Sequence, residues 1–160
     1  MEVRLIDLAL VLFLSACSGP ALWEVDSIMA GDLSFDSSKM TFCSPESHPP
    51  LNFALIRFGN EIGAFLTLNR FHFTSDTARV IIEIEDEIFE DLAAVYEGRM
   101  RLKLSSESTQ KVIQSLQDGK EVVILVDGFR ERLEPSQFSL HFGRFSQGGS
   151  FFNFIKGPLP

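Results

Sequence analysis

Ala78-Arg79-Val80-Ile81-Ile82-Glu83-Ile84 decides the class of fold. Ala78, Val80, Ile82 and Ile84 take alternate positions, separated by Arg79, Ile81 and Glu83. Successive side chains of a strand point to opposite faces, so this spacing predicts a half-buried β-strand. The same period of two recurs on both sides. Upstream, Leu51, Phe53 and Leu55 alternate with Asn52, Ala54 and Ile56, and Gly59-Asn60 reads as a turn. Ile62, Ala64, Leu66 and Leu68 form a second series that runs on to Phe71 and Phe73, with Ser75-Asp76 as the next turn. Downstream, Met100, Leu102 and Leu104 alternate with Arg99, Arg101 and Lys103. Val122, Ile124 and Val126 predict a strand, Asp127-Gly128 suits a bend, and Phe138, Leu140 and Phe142 predict another strand. The turn Gln147-Gly148-Gly149-Ser150 precedes a last apolar segment, Phe151 to Ile155.

Elsewhere the period weakens. Between Leu22 and Phe42 strands are expected around Leu33-Ser34-Phe35 and at Met40 to Cys43. The prolines of Ser44-Pro45-Glu46-Ser47-His48-Pro49-Pro50 bar helix and interrupt any ladder, which makes this a loop. Asp86 to Gly98 has two readings: a helix through Ile88, Leu92, Val95 and Tyr96, or the arm of a hairpin. One short helix is expected near residues 106–118. Ser105 or Ser106 caps it, Thr109, Val112, Ile113 and Leu116 make its apolar stripe, and Asp118-Gly119 stops it. Seven to nine strands with one helix predict a mainly β fold, a β-sandwich or open barrel, because a parallel α/β sheet needs a helix after nearly every strand. Residues 22–160 read as a single β-rich globular domain.

Composition narrows the function classes. The formal charge is −8, with 22 acidic and 14 basic side chains, and no Lys/Arg cluster. Phosphate backbones repel such a chain, so no nucleic-acid partner is expected. Phe outnumbers other aromatics, 16 against one Trp and one Tyr. Phe fills β cores but lacks the polar handle that binding faces favour, so the first reading is a Phe-packed core. A Phe-lined pocket for a small apolar ligand is the alternative.

At the N-terminal end a polar start with Glu2, Arg4 and Asp7 leads into the apolar run Leu8 to Ala16, and Leu14-Ser15-Ala16-Cys17 closes it. Polar, apolar, then small is the order of an export signal. The run is about half the ~20 residues that a membrane-spanning helix needs. The closing four residues resemble the lipobox of bacterial lipoproteins: an aliphatic residue, two small residues and the cysteine that receives lipid. The resemblance implies that residues 1–16 are a signal peptide and residues 17–21 a lipidated cysteine with a short tether. It also implies a diacylglycerol and an N-acyl chain on Cys17 and a membrane as partner. Ser18 in place of aspartate points to the outer membrane in a cell that has two. Each buried CH₂ contributes about 0.8 kcal/mol, so two or more chains hold the protein without help from its folded part.

The tract Ala78 to Phe145 is similar to exported β domains of the invasion-associated locus B type. The strand Ala78 to Ile84, a hairpin, a short helix, the Gly-led strand Gly119 to Val126 and a final strand, Phe138 to Phe145, carry the likeness. What it implies is topology, since no site residue carries over.

Candidate chemistry is sparse. Cys17 and Cys43 are the only cysteines, so a lipidated Cys17 leaves Cys43 as a free thiol without an internal disulfide. Within Met40-Thr41-Phe42-Cys43 it is expected to be a buried, structural small hydrophobe. The acidic run Glu83, Glu85, Asp86, Glu87, Glu90 and Asp91 lacks the loop spacing of a calcium site and reads as a solvated strand end. His72 and His141, each between apolar residues on expected strands, would need a third ligand to hold zinc. No nucleophile elbow, phosphate loop, dinucleotide fingerprint or His-Glu-x-x-His is present. The expectation is a membrane-anchored envelope lipoprotein with a non-enzymatic binding or structural domain, no metal and no further cofactor, and another envelope protein as partner.

Overall fold

Val80, Ile82 and Ile84 lie on β5 (Thr77–Ile84), directly opposite Val126, Ile124 and Val122 of β8 (Val122–Val126). All six are buried, and they face the core of the molecule. The computed structural model describes residues 22–28, 37–46, 49–96 and 98–147. The remaining strands are β1 (Trp23–Ile28), β2 (Ser37–Phe42), β3 (Leu51–Phe58), β4 (Glu61–Leu68), β6 (Glu87–Val95), β7 (Arg101–Lys103) and β9 (Phe129–Leu133). All nine join one open antiparallel sheet in the order β1-β2-β3-β4-β7-β6-β5-β8-β9. The fold is therefore mainly β, built from one continuous sheet rather than two.

The alternation seen in sequence is the sheet's inside and outside. Met40, Leu55, Ala64, Leu66 and Leu102 continue the inner face across β2, β3, β4 and β7. The sheet curls around this face until β9 comes alongside β3. A hydrogen bond from Trp23 Nε1 to the Glu134 carbonyl (3.0 Å) ties β1 to the chain beyond β9. Trp23 is fully buried, so it belongs to the core and offers nothing to a membrane surface.

Helix α1 (Ser106–Gln117) is the helix expected from sequence. Ser105 caps it, its side chain accepting from Ser108 N–H at 3.2 Å, and Thr109, Val112 and Leu116 are buried. It carries the chain from β7 over β6 and β5 to β8. That crossing spans three strand spacings, about 14 Å, which a helix of this length covers. Asp91 of β6 supports its start by accepting from Ser105 N–H at 2.8 Å.

Several expectations change. Asp86 to Gly98 is the hairpin arm: β6 pairs with β5 along its length, and Glu85-Asp86 forms the turn. Phe71 and Phe73 lie in the β4–β5 connection rather than on a strand, although Phe73 is still buried. Phe138 to Phe142 is not a strand. It opens a second helix, α2 (Phe138–Ser146), where Phe138 and Phe145 are buried seven positions apart and Leu140 is 59% exposed. Helical spacing puts Phe138, Phe142 and Phe145 on one stripe, and packing three rings on the core that way, two of them fully buried, outweighs the two-residue alternation. The final strand of the resemblance to the locus B domains is thus a helix here. Leu33-Ser34-Phe35, His48 and Phe151 to Ile155 lie outside the described residues, as does the whole anchor tract.

Candidate functional site

Phe129, Glu131 and Leu133 share one face of the edge strand β9, because they stand opposite Val126, Ile124 and Val122 of β8. That face is the core side. Glu131 is therefore a carboxyl where the pattern calls for an apolar residue, and only 6% of it is exposed. The neighbouring Arg130 and Arg132 point to the outer face, towards Glu83 (3.7 Å) and Glu121 (3.4 Å). The strand's own geometry thus turns both nearby cations away from it.

The residues after β2 close over Glu131. Cys43 N–H donates to the Leu22 carbonyl at 2.8 Å, which extends the β1–β2 pairing and fixes where the loop departs. Ser44, Pro45 and Glu46 then face β9 across a cavity of about 310 Å³, also lined by Glu131, Glu134, Arg130 and Arg132. Burial pushes the Glu131 carboxyl up to about 7, and the nearby Glu46 charge pushes the same way. Hydrogen bonds from the Ser44 hydroxyl and the Arg132 N–H pull back only part of that. The cup lies at the seam where the curled sheet brings β9 back towards β3.

Cys43 is only partly buried, a departure from the buried thiol expected. Phe42 takes the inner face, so the next residue in the strand must turn the other way. There burial raises the thiol above its ordinary value, and the Glu24 charge and hydrogen bond add to the rise. A raised thiol holds little thiolate at neutral pH, which makes Cys43 a poor nucleophile.

The other sequence candidates separate in space. His72 is exposed in the β4–β5 connection, and His141 lies on α2, so neither is on a strand. Among the described residues no three His, Cys, Asp or Glu side chains gather to hold a metal. The acidic run sits on the β5–β6 hairpin, with Glu83, Glu85 and Glu90 ion-paired to Arg130, Lys120 and Arg79.

The Phe-rich interior packs on itself. Trp23 meets Phe42 at 5.0 Å, Phe138 at 4.9 Å and Phe53 at 6.2 Å between ring centroids, in tilted or edge-on arrangements. Phe142 continues the stack to Phe138 and Phe145. Arg57 holds the end of α2, its Nε donating to the Phe145 carbonyl at 3.2 Å, where a cation also suits the helix C-terminus.

No family model matches this chain, and neither the curated proteins nor the solved structures compared with it include a match. Sequence reasoning passed over Glu131. The signal was there in Phe129-Arg130-Glu131-Arg132-Leu133, a carboxyl on the parity of two apolar residues.

Proposed function

We propose that this protein is a membrane-anchored envelope lipoprotein whose β domain binds or scaffolds another envelope component and does not catalyse a reaction. The observation that carries the reading is Leu14-Ser15-Ala16-Cys17 at the close of an apolar run, with diacylglycerol and an N-acyl chain expected on Cys17. On this reading Ser18 to Ala21 form the tether. Four residues reach about 14 Å at most, which would keep the domain against the membrane surface. Among the described residues no helix is long and apolar enough to cross a membrane. The mutual packing of Trp23 with Phe42, Phe53 and Phe138 favours a solid core over a carrier's Phe-lined pocket.

Radiolabelled palmitate supplied to producing cells tests the anchor. Wild-type protein should take up label and partition into detergent, and Cys17→Ser should do neither. An unlabelled wild-type protein would overturn the reading.

A further inference from the structure

We propose that the outer face of the sheet, over β2, β3, β4 and β7, carries a binding site for a phosphate monoester, with Arg101 and Lys39 as its cations. Ala54 forms the floor of a cavity of about 150 Å³, because the larger Thr41 and Phe65 stand directly across from it on either side. Asn52 and Thr67 add to the rim, and Lys39 and Arg101 line it from the flanking strands β2 and β7. Among the described residues no carboxylate lines this cavity. Glu24 and Asp26 of β1 lie across from Thr41 and Lys39, and neither forms an ion pair with Lys39. Elsewhere on the outer face the sheet satisfies its own cations: Arg79, Arg130 and Arg132 are ion-paired to Glu90, Glu83 and Glu121. Arg101 and Lys39 instead have Thr67 and Ile56 across from them on β4 and β3, which leaves their charge for a ligand.

The packing also aims Arg101. Its Cζ lies over the Phe65 ring, 5.9 Å from the centroid, which fixes the plane of the fork and leaves its in-plane N–H donors free. Gly63 makes room for that ring. Its φ is not positive, so the backbone does not demand glycine, but a Cβ there would meet the Phe65 ring at 3.0 Å and Lys103 at 3.1 Å. A phosphate monoester is close to a dianion at neutral pH and presents three strong acceptor oxygens. Two cations match its charge, the Arg101 fork takes two oxygens, and the Thr41 and Thr67 hydroxyls donate to the rest. A carboxylate, with one charge and two oxygens, would leave one cation unmatched. This gives a ligand class to the binding role proposed above and rests on that reading, although the site lies in the folded domain and not at Cys17.

The test uses the full chain in non-ionic detergent at constant ionic strength, with backbone amide and arginine side-chain signals observed by NMR. Glycerol 3-phosphate is the probe, with acetate and glycerol as controls. The Thr41, Thr67 and Arg101 signals should shift saturably with the probe, and acetate should bind roughly tenfold more weakly. Arg101→Gln should weaken probe binding by roughly tenfold or more. Arg101→Lys keeps the charge without the fork and should recover only part of the loss. Arg101 is exposed, so both variants should melt like wild type. Gly63→Ala, which displaces the ring under Arg101, should weaken binding several-fold. The absence of saturable shifts, acetate binding as tight as the probe's, or undiminished binding by Arg101→Gln would overturn the proposal. Dihexanoyl phosphatidate separates two sources of the same group: tighter binding than glycerol 3-phosphate assigns it to a lipid headgroup, and weaker binding to a free phosphate ester. Palmitate label on Cys17 enters none of these readouts, so either idea can fail without the other.

Discussion

The end of the β5–β6 hairpin and the seam beside β9 both gather carboxylates, and the fold treats them in opposite ways. At the hairpin six acidic residues crowd into positions 83–91. Glu85 meets Lys120 at 2.9 Å, Glu83 and Glu90 have arginine partners, and Asp91 accepts from the start of α1. Asp86 and Glu87 are exposed to water. At the seam the acids come from the β2–β3 loop and from β9 and the residue just beyond it, and the two arginines beside buried Glu131 pair with Glu83 and Glu121 instead. Crowding along the chain costs little where water and partners screen it. A single carboxyl placed on the wrong parity of an edge strand matters more.

The largest effect should come from making a second buried acid where nothing accommodates it. Ile82 is fully buried on β5, opposite Ile124 and Phe89. Ile82→Asp should cost several kcal/mol against a typical total of about 5–15, and the cooperative melting transition should vanish. A variant that melts like wild type would mean that the inner face has been assigned wrongly.

Next comes Glu131 itself, whose cup lessens that cost without removing it. Its folded-state value, about 7, lies above its ordinary 4.5. Folding thus favours the protonated form. Its contribution is full below pH 4.5, declines as pH rises through 7, and is level beyond that. The span of the decline is at most about 3 kcal/mol. In amine-free buffer, urea unfolding of Glu131→Gln should lack this decline, so the variant gains on wild type between pH 5 and pH 8. Parallel pH profiles would show that the seam carboxyl is no more stressed than the hairpin's.

The smallest effect lies in the hairpin run. Asp91→Ala leaves Ser105 N–H without its acceptor and should cost about 1–2 kcal/mol, read as a lowered melting temperature. Asp91→Asn, which keeps a carbonyl acceptor there, should recover most of the loss. If both variants match wild type, Asp91 is as inconsequential as its solvated neighbours.

β3, β4, β5 and β7 were legible because their apolar residues alternate cleanly, whereas β1 and β9 were passed over and β6 fitted a helix as well, although β6 and β9 also have one exposed face. The crossover helix was legible because a serine cap, a stripe and Asp118-Gly119 agree on its limits. Phe138-Ser139-Leu140-His141-Phe142 was not, since its first five residues fit a strand and only Phe145, a turn later, breaks the tie. Gly63 gives no turn signal and is explained only by the folded chain. A Cβ there would stand 3.0 Å from the Phe65 ring and 3.1 Å from Lys103. The seam was hidden for a like reason: Ser44 and Glu131 are 87 positions apart, and only the curl of the sheet makes them neighbours.

The strand order also sets a timetable. β1 to β4 pair in sequence, so that meander can assemble by successive hairpins as the chain is made. β5 and β6 follow as a hairpin of their own. The second side of β5 waits for β8, which appears only after β7 has docked and α1 has crossed over. Until then the edge of the strand bearing Val80 and Ile82 lies open, and an open apolar edge invites pairing with other chains. The contacts that shield this strand thus wait on a later part of the chain, and conditions that delay α1 should lower the yield of native protein before they lower its stability.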